Sequence, residues 1–380
     1  MSTRAVDSRL RDWAYLSGVA EAPCAPLSAF VAEVGPEQAA RALRERTLPP
    51  ALDGPTQSRR HRDTVRADLD LLAVLGGRLV TPDDEEWPSW RWLAFSTATA
   101  TGVRDAVAPL ALWVLGTAPV EELTRRAVAM VGTRAASGYG EHVTAELTHD
   151  LVAEGWTIVS GAAYGIDGAA HRAALAAGGR TVAVLACGVD RAYPAGHAPL
   201  LREIAREGLV LSEYPPGTTP AKHRFLARNR LVAGLADGVV VVEAGWRSGA
   251  RNTATWARHL GRPVLAVPGP VTALSSAGCH RMIRTGEAVL ATSAAEVIEE
   301  AGRIGELAGP RQGELDLRPT DGLDRVSAQV LEAFPARGAV NERQLAQQSG
   351  LPLAQVRGAL PLLEMAGLAE WTEQGWNRAR

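Results

Sequence analysis

Residues 127–171 contain the clearest indication of the fold, and they read AVAMVGTRAASGYGEHVTAELTHDLVAEGWTIVSGAAYGIDGAAH. A short apolar run leads into a glycine-rich turn, a helical segment follows, and a second apolar run ends in a second glycine-rich turn. Strands that are apolar on both faces and alternate with helices are typical of a parallel sheet covered on both sides. The stretch therefore predicts one strand–helix–strand unit of an α/β domain.

The same alternation continues on both sides of this unit. Between about Leu110 and Glu300 the chain contains the further apolar runs LALWVLG, TVAVLAC, GLVLSEY, GVVVVEA, PVLAVPG and AVLAT. We therefore predict a parallel-sheet domain over residues 109–302.

Four other segments surround the sheet domain. Helical periodicity predicts a small N-terminal helical domain over residues 1–75, which we interpret as similar to a SAM or helix-hairpin domain. Residues 76–108, with the run GGRLVTPDDEEWPSW, are interpreted as a connector that packs on the sheet domain. Residues 303–324 lack periodicity and indicate a linker. Three short helical stretches and the hairpin-like run LAEWTEQGWNRA then predict a winged helix over residues 325–380.

Composition limits the possible functions. The chain has 380 residues, 46% of them hydrophobic, and a formal net charge of −2, so a nucleic-acid site has to be a local basic patch on a nearly neutral protein. Cys24, Cys187 and Cys279 are far apart and form no CxxC pair, which argues against a zinc site or a disulfide framework. The first residues lack an apolar signal core and no membrane-spanning run follows, so a cytoplasmic protein is expected.

The most basic short stretch is PAKHRFLARNR, from Pro220 to Arg230, and it contains the only lysine of the chain, Lys222. The stretch places four cations, Lys222, Arg224, Arg228 and Arg230, around the single aromatic ring of Phe225, with Asn229 between two of them. Cations that hold a phosphate backbone beside a ring that stacks on a base indicate a site for single-stranded nucleic acid. The alternative is a solvated basic loop with no ligand.

The glycine-rich run VGTRAASGYG, from Val131 to Gly140, follows a strand and opens a helix, so its amides could receive a phosphate. Arg134 would add a charge-assisted contact there, unless it pairs with a local acid. The second strand ends at Ser160 and Gly161 rather than at the ribose-binding acid of a dinucleotide site, which disfavours NAD. A GxxxxGK[ST] motif is absent from the sequence, so the motif evidence excludes a P-loop NTPase.

Four further side chains have catalytic potential. Asp167 and His171 stand four apart at a helix start, which fits an acid–base pair or, as the alternative, a capping aspartate with a packed histidine. Glu213 and Glu243 each follow a strand. A nucleophile or metal set that would complete a hydrolase site is not recognisable beside them.

Six motifs in order resemble the DNA-processing protein A family, also called DprA or Smf. They are VGTRAASGYG, SGAAYGIDGAAH, ACGVDRAYP, the long run from SEYPPG to VVVVEA, SGARNTATWA and VPGPVTALSSAGCHRMIRTGEA, which together span about Val131 to Ala288. Each motif alone is weak, and the ordered set is specific. The flanking helical and winged-helix-like segments also resemble the longer members of that family.

The resemblance implies an extended Rossmann-like domain that binds single-stranded DNA without catalysis or a cofactor, forms a homodimer, and delivers DNA to the RecA recombinase in natural transformation. The DNA-binding site that we predict on this basis consists of Gly132, Arg134, Gly161, Lys222, Phe225, Arg228, Asn229, Ser248 and Gly249. One departure is visible, because the family commonly has Pro-Arg directly after the aromatic residue, where this chain has Leu226 and Ala227.

Two alternatives stay open at this stage. The run VVVVEAGWRSGARNTA has some similarity to the phosphate-binding turn of Rossmann-like nucleotide phosphoribohydrolases, although their PGGxGT sequence is absent, and a nicotinamide oxidoreductase is weaker still. In the winged helix, the run PLAQVRGALPLLEMAG offers only Arg357 as a cation, which favours protein contact or packing over groove reading, while Arg378 and Arg380 argue for DNA.

Overall fold

A computed structural model describes residues 3–61, 64–246, 248–302, 323–335, 338–372 and 374–379. The chain divides into two compact units, one that ends at Ala308 and one that begins at Gly309. The predicted linker, residues 303–324, lies almost entirely outside the described residues. Among those residues, no helix is both long and apolar enough to span a bilayer.

The N-terminal part of the first unit is helical, as predicted. Its helices are α1 (Thr3–Val19), α2 (Ala25–Val34), α3 (Pro36–Glu45), α4 (Pro50–Thr56) and α5 (Val65–Val74). Gly35 has a positive φ of 81° and ends α2, and Pro36 then opens α3, where its missing amide hydrogen is not needed. Leu16, Leu27 and Leu43 are buried in one core with Trp113 of the sheet, so these helices and the sheet form one unit.

The central feature of the first unit is a nine-stranded sheet of order β1-β2-β6-β5-β4-β3-β7-β8-β9. Its strands are β1 (Gly77–Val80), β2 (Leu112–Leu115), β3 (Ala127–Val131), β4 (Thr157–Ser160), β5 (Thr181–Leu185), β6 (Leu209–Ser212), β7 (Gly238–Val241), β8 (Val264–Ala266) and β9 (Val289–Leu290). Strands β3 to β9 are all parallel, as predicted. The expectation was wrong for the LALWVLG run, because β2 is antiparallel to both β1 and β6.

Helices cover both faces of this sheet. They are α6 (Ser89–Ala100), α7 (Val120–Thr124), α8 (Gly138–Ala153), α9 (Ile166–Ala176), α10 (Ala198–Glu207), α11 (Lys222–Gly234), α12 (Ala250–His259), α13 (Ala277–Arg284) and α14 (Ala294–Ala301). Val128 and Met130 belong to one hydrophobic core, and Ala129 and Val131 belong to the other. This alternation explains why β3 is apolar at every position.

The sheet order positions a crevice. From β3 the chain continues through β4, β5 and β6 on one side, and β7 returns to pair with the other side of β3. In open parallel sheets, ligands bind at the carboxyl ends of the strands where the order reverses in this way. The ends of β3 and β7 carry the glycine turn after Val131 and the loop after Val241.

The second unit contains three helices and a hairpin: α15 (Arg325–Glu332), α16 (Glu342–Ser349), α17 (Leu353–Met365), β10 (Ala369–Thr372) and β11 (Gly375–Arg378). Asn341 and Gln344 form a capping box at the start of α16. Val340 bridges to Trp376 and joins the hairpin to the helices. This is the arrangement of a winged helix, and it confirms the prediction. The boundaries proposed at residues 75 and 108 stay predictions, as does the linker.

Candidate single-stranded DNA interface

A cleft of about 970 Å³ opens at the carboxyl ends of β3 and β7. All nine residues of the predicted site line it: Gly132, Arg134, Gly161, Lys222, Phe225, Arg228, Asn229, Ser248 and Gly249. They come from four segments that are up to 117 positions apart in the sequence, as the difference between Gly132 and Gly249 shows. The structure therefore brings the whole predicted set to one place.

The first wall of the cleft is the glycine turn after β3. A Cβ atom on Gly132 would lie 2.5 Å from Ile166 Cγ1 and 2.9 Å from the Glu243 carbonyl oxygen, so only glycine allows this packing. Ser137 donates to the Glu243 carboxylate from its amide over 2.9 Å and from its hydroxyl over 2.6 Å. These bonds fix the turn, while the Arg134 side chain is exposed.

Phe225 stands in the cleft between two neighbours. The Arg134 guanidinium carbon lies 5.3 Å from the centre of its ring, a cation–π distance. On α11, Phe225 is half-buried, and its ring centre lies 5.2 Å from that of Tyr193, which is 39% exposed. Tyr193 lines the cleft and was missed as a site residue, although it stands in the quoted motif ACGVDRAYP.

The basic stretch supplies fewer available cations than the sequence predicted. Residues 220–230 are all described, and of their four cations Lys222 alone is exposed, at the first position of α11. Arg224 donates over 2.6 Å to Glu21, and its side chain is 12% exposed. Arg230 is fully buried in an ion pair with Glu213. The expectation of four cations around Phe225 was therefore wrong in number, because two of them are held by carboxylates.

Arg228 forms part of the floor of the cleft. Its residue is 4% exposed, and its guanidinium donates to the carbonyl oxygen of Val184. A Cβ atom on Gly161 would lie 2.2 Å from Nη1 of Arg228, so the glycine leaves room for this guanidinium. Asp167 accepts a 3.2 Å bond from the Gly161 amide. Burial lowers the pKa of Arg228 and raises that of Asp167, and each charge opposes the shift of the other. A DNA contact by Arg228 stays a prediction.

The opposite wall is the start of α12. Gly249 occupies the N-cap position without a side-chain cap, and the first three amides of α12 bond locally. The Ala250 amide donates to the Ser248 hydroxyl over 3.3 Å, and the Arg251 and Asn252 amides donate to the carbonyl oxygens of Ser248 and Gly249 over 3.3 and 3.0 Å. Ser248 precedes Gly249 at the rim of the cleft. Asn229 of α11 donates over 3.1 Å to Asn252 of α12, which ties the two helices together. A helix start beside Lys222 favours an anion at this wall.

The other candidate catalytic groups have structural partners. The His171 ring shares a 2.7 Å hydrogen bond with the Thr181 hydroxyl, and burial lowers the pKa of His171 to about 3. Asp167 bonds elsewhere, to the Gly161 amide, so the two side chains have different partners. Glu213 pairs with Arg230, and burial raises its pKa against the opposing charge of that guanidinium.

The sequence and the fold were compared with known proteins. A family model described as "DNA recombination-mediator protein A" matches residues 78–302, and one described as "DprA winged helix domain" matches residues 316–375. A putative DNA processing protein DprA of Mycobacterium tuberculosis (strain CDC 1551 / Oshkosh) is 54% identical over 377 residues, which cover 99% of this chain and 96% of that protein.

Two solved structures are also similar. The DNA processing protein A of Streptococcus pneumoniae is 31% identical with a TM-score of 0.61, over 81% of this chain and 99% of that one. The DNA processing protein A of Helicobacter pylori, whose structure concerns its single-stranded DNA binding mode, is 29% identical with a TM-score of 0.50, over 59% of this chain and 94% of that one.

Proposed function

This chain belongs to the DNA recombination-mediator protein A family, and we propose that its cleft binds single-stranded DNA without sequence preference and catalyses no reaction. One observation carries the proposal. Nine residues that the sequence predicts as DNA contacts line one cleft, and that cleft opens where parallel sheets bind ligands. The similar Helicobacter pylori structure concerns single-stranded DNA binding by that protein, which supports the same ligand here.

The chemistry of the walls fits a sugar-phosphate strand with unpaired bases. Arg134 and Lys222 are exposed cations at the rim, and the positive end of the α12 dipole at Gly249 favours a phosphate there. Phe225 provides an aromatic surface on which any base can stack, and Tyr193 extends that surface. Stacking does not depend on base identity, so binding should tolerate any sequence.

The absence of catalysis is supported by the partners of the candidate acids. Glu243 accepts hydrogen bonds from the hydroxyl groups of Ser137 and Ser275 over 2.6 and 3.0 Å, so its carboxylate holds two loops together. Glu213 neutralises a buried guanidinium. Incubation with nucleoside monophosphates should therefore release no base, and release of base would favour a nucleotide phosphoribohydrolase instead.

A titration tests the main proposal. Fluorescence anisotropy with labelled oligonucleotides should show tighter binding of single-stranded DNA than of a duplex, because paired bases cannot stack on Phe225. Poly-dT and a mixed sequence of equal length should bind alike. Equal affinity for duplex and single strand would contradict the proposal.

We also propose that the chain forms a homodimer and loads RecA recombinase on single-stranded DNA during transformation, in the cytoplasm. The resemblance to the DprA family supports these roles. Strand β9 stands at one end of the described sheet, with Val289 and Leu290 48% and 44% exposed, and such an edge is a ready surface for self-association. Two clefts on one particle would hold one strand at two points and raise the affinity. Light scattering and a RecA filament assay test these roles separately.

A further inference from the structure

Glu21 connects the N-terminal helical part to the first turn of α11. It lies in the segment between α1 and α2, and its carboxylate accepts bonds from Arg224 Nε over 2.6 Å and from Arg224 Nη2 over 3.0 Å. The neighbouring His223 contributes a third contact of 3.1 Å from its ring nitrogen. Arg59, in the turn after α4, also donates to Glu21. One carboxylate thus gathers three basic side chains from two parts of the chain.

The first turn of α11 needs such a partner. Its N-cap residue is Ala221, which has no side chain able to accept from the free amides, and the first turn contains no acid. Instead, the first three residues, Lys222, His223 and Arg224, are all basic. Positive charge at a helix start is opposed by the helix dipole, and negative charge there is favourable. Glu21 supplies from outside the helix the negative charge that α11 lacks.

Arg224 is held in place on several sides. Besides the two bonds to Glu21, it donates to the carbonyl oxygen of Thr219, and its guanidinium carbon lies 5.5 Å from the ring centre of Tyr214. Burial alone would raise the pKa of Glu21, but Arg224 and Arg59 hold it at about 2, so the carboxylate is charged at neutral pH. Arg224 therefore has a structural role at the start of α11, and its guanidinium is not free to contact a phosphate.

We infer that Glu21 is a positioning residue of the DNA-binding cleft. Through Arg224 it fixes the first turn of α11, and this orients the ring of Phe225 toward the cleft. The inference rests on the proposed function, since it assigns a role in single-stranded DNA binding to a residue that does not line the cleft. It also gives the N-terminal helices a part in that binding without any contact of their own with DNA.

The test compares Glu21→Gln with the wild type in single-stranded DNA affinity and in its salt dependence. Affinity should fall about 3- to 10-fold, toward the lower end of the effects that contacting residues have on each other. The slope against salt should be unchanged because Lys222 and Arg134 remain. The double variant Glu21→Gln/Arg224→Gln should bind no more weakly than Arg224→Gln alone, because both changes break the same link.

A matched control is Glu86→Gln. Glu86 makes a comparable bidentate pair with Arg78, at 2.6 and 2.7 Å, away from the cleft and from α11. This variant should retain the wild-type affinity. Circular dichroism and thermal unfolding of all variants show whether each one folds.

The outcomes separate the two proposals. If the wild type does not bind single-stranded DNA, the proposed function fails and this inference fails with it. If the wild type binds and Glu21→Gln binds equally well, the positioning role alone is overturned. An equal loss of affinity in Glu86→Gln would also overturn it, since the effect would then follow general stability. A gain in affinity with a steeper salt slope would also overturn the positioning role, since Glu21 would then only keep Arg224 from contacting a phosphate.

Discussion

Lys222→Gln should lower the salt dependence of single-stranded DNA binding by one phosphate contact. Lys222 is exposed at the start of α11 and takes part in no ion pair with a described carboxylate. Each phosphate contact to a single strand adds about −0.7 to the slope of log K against log salt. Between 50 and 200 mM salt the wild type should therefore lose about 2.6-fold more affinity than the variant does.

Arg224→Gln is the matched control, because it removes the same charge two residues further along the same helix. Arg224 is bound to Glu21, so its loss should weaken binding without changing the slope. Anisotropy titrations with one oligonucleotide at four or five salt concentrations give the slopes of all three proteins. An equal change of slope in both variants would refute the reasoning, since Arg224 would then be a phosphate contact. An unchanged slope in Lys222→Gln would show that Lys222 makes no contact with a phosphate.

Three further outcomes are expected. Phe225→Ala should cost about 1 to 3 kcal/mol of DNA-binding free energy by anisotropy, because a stacking surface is lost, and wild-type affinity in a folded variant would show that the ring only packs. Gly161→Ala should lower the free energy of unfolding by about 1 to 3 kcal/mol in denaturant titrations, because the new methyl group collides with the buried guanidinium of Arg228. An unchanged midpoint of denaturant unfolding would mean that this guanidinium moves aside without cost. The folded-state pKa of Glu21 is about 2, below the ordinary 4.5, so its contribution to stability is present above pH 4.5 and is lost as the pH falls toward 2. The difference in unfolding free energy between wild type and Glu21→Gln should therefore shrink over that range. A constant difference would contradict the lowered pKa.

Arg228 shows how the structure changes the design of an experiment. From the sequence alone, Arg228→Ala is a simple test of a phosphate contact. In the structure the guanidinium is buried beneath Gly161 and compensates the charge of Asp167. The alanine variant would remove the positive charge that opposes the raised pKa of that buried carboxylate, so lower stability would accompany any loss of binding. Unfolding has to be measured beside affinity for this variant.

Much of the fold could be predicted because local patterns carry it. Strands apolar on both faces indicate burial on both sides, and this identified β3 to β8. The apolar run at β9 was identified in the same way, although its two residues are exposed at the edge of the sheet. The direction of β2 could not be predicted, because LALWVLG has the same pattern as a parallel strand and its direction depends on the partners β1 and β6. The winged helix could be predicted from three short helical stretches followed by a hairpin-like run.

The residues of the candidate site could be predicted from the sequence, but the number of cations free to contact DNA could not. The resemblance named nine residues, and they share one cleft. The free cations were overestimated because the partner of Arg224 is Glu21, 203 positions away, and the partner of Arg230 is the buried carboxylate of Glu213, 17 positions away after β6. Neither pair has a local spacing, such as i to i+4 on one helix, from which the sequence could predict it. Tyr193 was missed since nothing nearby in the sequence ties it to Phe225.

The shared core of Trp113 and the N-terminal helices determines where the protein can be cut. A fragment that starts near Leu110 would expose the Trp113 side chain, which is fully buried in the intact chain, and would remove β1 from the side of β2. Exposure of roughly 200 Å² of indole surface costs about 5 kcal/mol, a large part of the stability of a typical domain. The uncovered strand edge would also recruit other chains. Truncations meant to isolate the DNA cleft should therefore keep the first hundred residues and end near residue 302. Aggregation of a shorter fragment would be a result of the truncation and would say nothing about the oligomeric state of the intact protein.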